Sequence, residues 1–174
     1  SPVPFNRQSL NVLCDNVSRA KEQITCPLIL ENITYTMTLP WNEIEEGEFL
    51  AELLERTDCG LLLDVTNLYT NSVNHGYDTA AFLNQLPVNR VVQLHYVGGE
   101  LRDGQMIDNH LHETPEPIWE LLKEVYKKGN YSLADATYYI ETLSGHIAYF
   151  FNAFTNVMSS FIQVIVFTIF LTYS

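Results

Sequence analysis

An apolar run that ends on a carboxylate constrains the fold of this chain more than any other feature of its sequence. Leu61, Leu62 and Leu63 form the run, and Asp64 ends it. An uninterrupted run of this kind is typical of a parallel strand that is buried on both faces. A carboxylate that enters an apolar interior must be hydrogen-bonded, paired or bound to a cation, because an unpaired buried charge is very costly. The run therefore predicts a buried strand whose terminal carboxylate has a partner.

The residues after this strand suggest what the partner is. Asn67, Asn74 and His75 follow Asp64 in a segment that we predict to pass from strand into loop, and Gly76 permits a sharp turn there. A carboxylate and an imidazole in one short segment suit a divalent metal. In the alternative interpretation, Asp64 caps the next turn and His75 is an ordinary loop residue. The segment taken alone slightly favours that alternative.

Three other short apolar runs end in the same way. They start near residues 28, 91 and 137, and they end at Glu31, His95 and Glu141. Helical patterns lie between the runs, which predicts a parallel sheet with right-handed crossovers. In a closed (β/α) barrel the chemistry lies at the C-terminal ends of the strands, where all these residues fall, so we predict an α/β fold, a partial (β/α) TIM barrel of about four parallel βα units. An open doubly wound sheet would place a ligand at the same ends, but no glycine-rich phosphate loop supports a nucleotide site.

Helical periodicity occurs in four segments, at residues 8–24, 43–56, 79–86 and 118–129. The segment at residues 97–117 is instead long and polar, and we predict that it is a loop. It carries Asp108, His110, His112 and Glu113. Loops of this length inside a compact domain are usually functional or disordered. His112 and Glu113 could serve as acid or base, although exposed loop residues of these types are more often merely solvated.

The charge balance excludes one class of partner. The chain has 9 Lys and Arg residues against 21 Asp and Glu residues, a net charge of −12. Nucleic-acid binding requires a basic face, so we expect no nucleic-acid partner. An acidic balance is expected of a soluble cytoplasmic enzyme. Cys14, Cys26 and Cys59 form no CxxC pair, so neither a disulfide framework nor a zinc ribbon is indicated, and we predict reduced cysteines in the cytoplasm.

The donor types at the strand ends narrow the choice of metal. Mixed imidazole and carboxylate donors suit iron, manganese, cobalt or zinc, whereas magnesium and calcium prefer shells of oxygen alone. Iron or manganese is favoured on chemical grounds. Nucleophilic catalysis has little support, because no cysteine lies at a strand end and the chain has no G-x-S-x-G motif.

With these residues identified, four sequence stretches resemble the MbnB/TglH family of multinuclear non-haem iron enzymes in order and spacing. They are LILEN at 28–32, LLLDVTNLYTNSVNHGYD at 61–78, VVQLH at 91–95 and IDNHLHETPEPIWELL at 107–122. The resemblance covers roughly residues 2–130 and implies a xylose-isomerase-like TIM barrel. It also implies two or more iron ions, with manganese as the alternative, and dioxygen as co-substrate. Characterised members oxidise cysteine residues of small ribosomal peptides with the help of a partner protein that holds the peptide, and most members are uncharacterised.

The resemblance also assigns residues of the site. The implied metal ligands are Glu31, Asp64, His75, His95, Asp108 and His110. Asn32 and Asn67 would line the site as cofactor-binding residues, and Glu141 matches a family glutamate loosely and is a seventh candidate ligand. The chain begins with Ser1 rather than Met and lacks the first strands of the family barrel. We therefore expect a fragment that is incomplete at its N-terminus and atypical at its C-terminus, and that is inactive if the missing strands are essential.

The end of the chain differs sharply in composition from the rest. Residues 142–174 contain no Asp, Glu, Lys or Arg. We therefore divide the chain into a partial barrel domain at residues 1–141 and an uncharged apolar tail at residues 142–174. The apolar part of the tail, residues 161–173, is shorter than the ~20 residues of a spanning helix. A membrane anchor is thus the less favoured interpretation of the tail, and a divergent ending is the favoured one.

Three functions remain open from the sequence. The leading hypothesis is an iron-dependent oxidative enzyme that tailors peptides. The second is a divalent-metal isomerase or phosphodiesterase on the same barrel, in which the metal polarises a carbonyl or activates water. The third is a truncated, non-enzymatic remnant whose ligands are relics.

Overall fold

The structure is a computed structural model that describes residues 3–130 of the 174-residue chain, apart from the side chains at positions 110 and 111. Its helices are α1 (Arg7–Gln23), α2 (Glu46–Thr57), α3 (Val65–His75), α4 (Thr79–Gln85) and α5 (Glu116–Gly129). Its strands are β1 (Ile29–Glu31), β2 (Gly60–Asp64), β3 (Val91–His95), β4 (Gly98–Arg102) and β5 (Gln105–His112). None of these helices combines the length and the apolar character needed to cross a membrane. The strand predicted at 136–140 and the tail at 142–174 lie outside the described residues.

Strands β1, β2 and β3 form a parallel sheet with β2 in the centre. Leu61 and Leu63 of β2 are fully buried, as expected of an apolar run in a central strand. α2 connects β1 to β2, and α3 and α4 connect β2 to β3. This arrangement confirms the predicted mixed α/β fold with parallel βα units. The three parallel strands in the described part of the chain are compatible with part of a barrel, but they are too few to close one.

Helix α2 joins α1 to the core because it is buried on two faces. Leu50 and Leu54 belong to the main core, which includes the central strand. Phe49 and Leu53 form a second cluster with Leu10 of α1. Burial of each such side chain contributes about 1.5–3 kcal/mol, so α2 is fixed from both sides and holds the strand that follows it.

The segment after β2 is the helix α3, and the prediction of a loop there was wrong. The Asp64 carboxylate caps the first turn by accepting a hydrogen bond from the Asn67 backbone N–H at 2.8 Å. Gly76 ends the helix in the left-handed conformation, with a φ of 73°. Val65 and Leu68 are fully buried. Asn and Thr are weak helix formers, so the local composition concealed a helix that capping and burial stabilise.

The long polar loop predicted at residues 97–117 is largely an antiparallel hairpin of β4 and β5. Asp103 and Gly104 form its two-residue turn, with φ values of 53° and 80°. A type I′ turn requires a positive φ at both central positions, and Asp-Gly is one of the pairs that favour it. The loop prediction is therefore wrong for residues 98–112, and the Asp-Gly pair is the sequence signal that identifies the hairpin.

Gly98 is required by the close approach of β4 to the end of β5. A Cβ atom at this position would overlap the backbone carbonyl oxygens of His112 and Glu113. We expect Gly98→Ala to separate the strands at this point and to lower the free energy of unfolding by about 2 kcal/mol. The control Leu101→Ala removes a side chain of the same hairpin that is 66% exposed, and its effect should stay below about 0.5 kcal/mol. Urea unfolding of both variants measures this difference, and equal stability would contradict the close approach.

Candidate metal centre

Three potential metal-binding side chains meet at the C-terminal ends of the parallel strands. Glu31 ends β1, Asp64 ends β2 and His95 ends β3. Each offers one ligand atom, and these atoms all lie within 4.8 Å of one another. His95 Nδ1 lies 2.7 Å from Asp64 Oδ2 and 4.0 Å from Glu31 Oε1. The structure thus brings together three of the residues that the strand-end pattern singled out.

The register of the sheet explains why these side chains converge. Asp64 and His95 are direct partners across β2 and β3. Glu31 is paired with Leu62, two residues before Asp64 on the same strand. Because side chains two residues apart on a strand point to the same face, Glu31 and Asp64 share a face of the sheet. The cluster therefore follows from pairing between strands that are far apart in the sequence.

Asp64 is held rigidly by hydrogen bonds on both its backbone and its side chain. Its backbone N–H donates to Asn32 Oδ1 at 2.8 Å, and its carbonyl accepts from Asn32 Nδ2 at 2.9 Å. One carboxylate oxygen accepts from the Asn67 backbone N–H at the start of α3. The second oxygen is the one that faces His95. These hydrogen bonds fix the orientation of the Asp64 carboxylate, as is typical of metal ligands that are held by surrounding hydrogen bonds.

Asn32 and Asn67, the predicted cofactor-binding residues, both lie beside Asp64. Both polar atoms of the Asn32 side chain form a hydrogen bond with the Asp64 backbone, and Asn67 Nδ2 donates to the Asn32 carbonyl at 2.9 Å. Asn67 Oδ1 is buried and has no hydrogen-bond partner within residues 3–130. A buried oxygen without a partner usually marks a water or ion. Asn67 is therefore the better placed of the two for a cofactor contact, and both assignments stay predictions.

The donor set fits a transition metal ion. It contains two carboxylates and one imidazole, a mixture that suits iron, manganese or zinc. The Asp64 side chain is 2% exposed, whereas those of Glu31 and His95 are 41% and 42% exposed. The cluster is thus closed on the protein side and open on the other. Three protein donors leave coordination positions for further ligands or substrate on the open side.

The remaining predicted ligands do not belong to this cluster in the described part of the chain. His75 lies at the far end of α3, roughly 15 Å along the helix from Asp64. Its Nε2 lies 2.8 Å from the Tyr35 carbonyl oxygen, and its ring stacks on the Tyr35 ring with a centroid distance of 4.3 Å. Asp108 lies on β5, outside the cluster. The His110 side chain and Glu141 lie outside the described residues. All four assignments stay predictions.

Sequence reasoning missed the residues of α3 that hold the surrounding backbone. The Thr66 hydroxyl accepts from the Val97 N–H and donates to the Val97 carbonyl. Asn71 donates to the Ile33 carbonyl at 2.9 Å and accepts from the Tyr35 N–H at 3.2 Å. The signal for this role is the recurrence of asparagine at positions 67, 71 and 74, which are spaced as neighbours on one helix face. It is visible only when the segment is recognised as a helix.

Comparison with known proteins gives a family match and several relatives. The family described as "RiPP precursor modification enzyme MbnB/TglH/ChrH" matches residues 1–150. A UPF0276 protein of Streptomyces avermitilis is 44% identical over 124 residues, which are 71% of this chain and 26% of that protein. A UPF0276 protein of Chromobacterium violaceum is 38% identical over 127 residues, which are 73% of this chain and 46% of that protein. The chain therefore spans less than half the length of both relatives.

The first prediction about the site concerns the Asn32 side chain. Asn32→Ala leaves the buried N–H and C=O groups of Asp64 without their partners, and each loss costs about 1–3 kcal/mol. We expect the free energy of unfolding to fall by about 3 kcal/mol in chemical denaturation. Asn16→Ala, at an exposed position of α1, is the matched control and should change it by less than about 0.5 kcal/mol. A stability loss no larger than that of the control would show that the hydrogen bonds do not hold Asp64.

Proposed function

The chain belongs to the MbnB/TglH/ChrH family of RiPP precursor modification enzymes, and we propose that it supplies a metal centre with which such an enzyme modifies a small ribosomal peptide. The observation that carries this proposal is the convergence of Glu31, Asp64 and His95 at the ends of three parallel strands. In barrel enzymes that edge of the sheet carries the active site. Because the relatives are more than twice as long as the matched region, the activity is proposed for a whole enzyme rather than for these residues alone.

In its finer form, the proposal is an iron enzyme that oxidises a cysteine residue of the peptide. Mixed imidazole and carboxylate donors favour iron or manganese over magnesium or calcium, and the family resemblance favours two or more iron ions. Bound iron would supply redox chemistry with dioxygen, which amino-acid side chains lack. A second protein that holds the peptide is the proposed partner, and the cytoplasm is the proposed location.

The three clustered residues have different proposed roles. Asp64 is the fixed ligand, because its backbone is held by Asn32 and one of its oxygens caps α3. Its burial also keeps water away from the protein side of the centre. Glu31 and His95 are the more exposed ligands, so the peptide thiol would approach along their side. The two carboxylates carry a charge of −2, which a divalent cation would neutralise.

Further donors are needed to complete the coordination. We propose Asp108, His110 and Glu141 for this role, within a domain at residues 1–141. His75 requires a rearrangement to bind a metal ion, because its two ring nitrogens lie 2.8 Å from the Tyr35 carbonyl oxygen and 3.4 Å from Thr38 Oγ1. Its assignment to a second metal ion therefore implies that the His75 side chain gives up at least one of these contacts on metal binding.

Metal titration tests the ligand assignment. The purified chain should bind Fe(II) saturably without oxygen, and Asp64→Asn or His95→Ala should weaken binding by at least ~100-fold because each removes one of three clustered donors. Asp64→Asn keeps an oxygen atom for the α3 cap, so its unfolding curve should stay close to that of the unmodified chain. Unchanged Fe(II) affinity in both variants would remove the metal centre from this position.

Two histidines of β5 provide an internal control for this titration. His112 is exposed, and its Nδ1 lies 3.2 Å from Asn109 Oδ1 rather than in the cluster. His112→Ala should therefore bind Fe(II) like the unmodified chain. His110→Ala should weaken binding much more, because only His110 matches the ligand pattern of the family. Equal effects of the two substitutions would remove His110 from the ligand set.

Dependence on dioxygen distinguishes the proposed reaction from a metal-dependent hydrolysis or isomerisation. The test uses a whole, iron-loaded enzyme that contains these residues: it is incubated with a cysteine-containing peptide in air and under argon, and the mass of the peptide is measured. We expect an oxidised product only in air and only with iron, and His95→Ala should abolish it because His95 is a proposed ligand. A product that forms equally under argon would favour the isomerase or phosphodiesterase alternative.

A further inference from the structure

A second candidate site lies in a pocket of about 320 Å³ that none of the three clustered ligands lines. Its walls come from the start of α2, the end of α3, α4 and the segment between β1 and α2. The volume lies at the low end of the range of roughly 300–1,000 Å³ that is typical of small-ligand sites. The pocket is therefore large enough for one extended side chain or a molecule of similar size.

Glu46 is the central polar group of this pocket. The hydroxyls of Tyr35 and Tyr77 both donate to its Oε2, at 3.1 and 3.4 Å. No hydrogen bond to its other oxygen, Oε1, is found within residues 3–130. Burial raises the pKa of Glu46 to about 7, against the opposing effect of the two hydroxyls. Within residues 3–130, no Lys or Arg pairs with Glu46, whereas a buried negative charge usually requires a compensating cation.

The lining also contains aromatic rings and two further carboxylates. Phe5 and Tyr35 form one ring pair at 5.8 Å, and Tyr77 and Phe82 form another at 6.0 Å. Both Glu45 and Asp78 of the lining are exposed, and no Lys or Arg of the described residues 3–130 lines the pocket. Aromatic faces attract cations through their quadrupole. The carboxylates and the aromatic rings of the pocket therefore both favour a cationic ligand.

We propose that this pocket binds a guanidinium group, as presented by an arginine side chain. A guanidinium is planar, weakly hydrated and stacks on aromatic rings, whereas an ammonium is compact and strongly hydrated. Its N–H groups can donate to Glu46 Oε1 in a charge-assisted hydrogen bond. The Tyr35 hydroxyl oxygen can accept as well, whereas the Tyr77 hydroxyl also interacts with the Asn71 side chain. The proposal concerns the conformation described here, in which His75 is part of the pocket wall and none of the three clustered ligands lines the pocket.

A metal ion is a poorer occupant of the pocket in this conformation. The one imidazole in the lining, His75, has both ring nitrogens within hydrogen-bonding distance of other groups. Glu46 Oε2 is shared by two hydroxyl donors. Aromatic rings on two walls offer no ligand atoms for a metal. An organic cation uses the rings as well as the carboxylate, so it matches more of the lining.

The test uses matched ligands and NMR titration of the metal-free chain in about 150 mM salt, which screens long-range attraction by the acidic protein. N-acetyl-arginine amide should shift the ring resonances of Tyr35 and Tyr77 saturably. N-acetyl-citrulline amide has nearly the same shape without the charge and should bind at least ~10-fold more weakly, as expected for the loss of a charge-assisted hydrogen bond. Equal binding of the two, or no saturable shift with arginine, would overturn the proposal.

Two variants locate the binding to Glu46. Glu46→Gln keeps an oxygen acceptor for the tyrosine hydroxyls but removes the charge, and it should weaken arginine binding at least ~10-fold. Glu48→Gln removes a carboxylate that is 57% exposed on the same helix, and it should leave the affinity unchanged. Equal effects of the two variants would indicate general attraction by the acidic surface and overturn the site. The arginine and citrulline comparison on the unmodified chain decides the question if Glu46→Gln does not fold.

A lysine ligand tests the choice of guanidinium. N-acetyl-lysine amide carries the same charge on a stem of similar length, but its ammonium cannot stack on the rings as a plane. It should therefore bind more weakly than the arginine amide. Binding as tight as that of arginine, or tighter, would overturn the assignment of the pocket to a guanidinium.

Discussion

The candidate metal centre depends on two buried hydrogen bonds between the Asn32 side chain and the Asp64 backbone. They join the ends of β1 and β2 just beyond Glu31, where the backbone pairing of the two strands stops. An amide side chain carries both a donor and an acceptor. The Asn32 side chain therefore takes the place of one pair of backbone hydrogen bonds between the two strands. Because Glu31 directly precedes Asn32, the same two bonds limit how far the two carboxylates can move apart. The neutral residue Asn32 thus limits the separation of the Glu31 and Asp64 carboxylates.

The polar side chains of α3 also form hydrogen bonds with the backbone of neighbouring segments. Four of these side chains each donate to one backbone carbonyl: Thr66 to that of Val97, Asn67 to that of Asn32, Asn71 to that of Ile33 and Asn74 to that of Met106. Buried backbone groups must find partners, and irregular segments cannot supply them all from their own backbone. The weak helix formers in α3 therefore stabilise the backbone of neighbouring segments rather than the helix itself. This explains why a helix with unfavourable composition lies beside the candidate centre.

Much of the fold could be predicted from the periodicity of apolar residues. The helices α1, α4 and α5 and the strands β1, β2 and β3 lie within about two residues of their predicted positions, because burial of one face imposes a period on the sequence. The two errors, α3 and the β4–β5 hairpin, have local causes. Asparagine-rich composition concealed the helix, and Asp103 with Gly104 was not recognised as the signature of a two-residue turn. Both elements are stabilised by capping, turn geometry and tertiary contacts more than by a long apolar stripe.

The sequence by itself determined that Glu31, Asp64 and His95 end their strands, because each follows an apolar run that must be buried. It did not determine that their ligand atoms lie within 4.8 Å of one another, since that depends on the register between strands about 30 residues apart along the chain. The pocket around Glu46 was invisible for the same reason: its tyrosine partners lie 11 and 31 residues away. Local patterns fix which face of an element is buried. Only tertiary packing decides which polar groups meet, because hydrogen bonds and charges act over a few ångströms in space, regardless of separation along the chain.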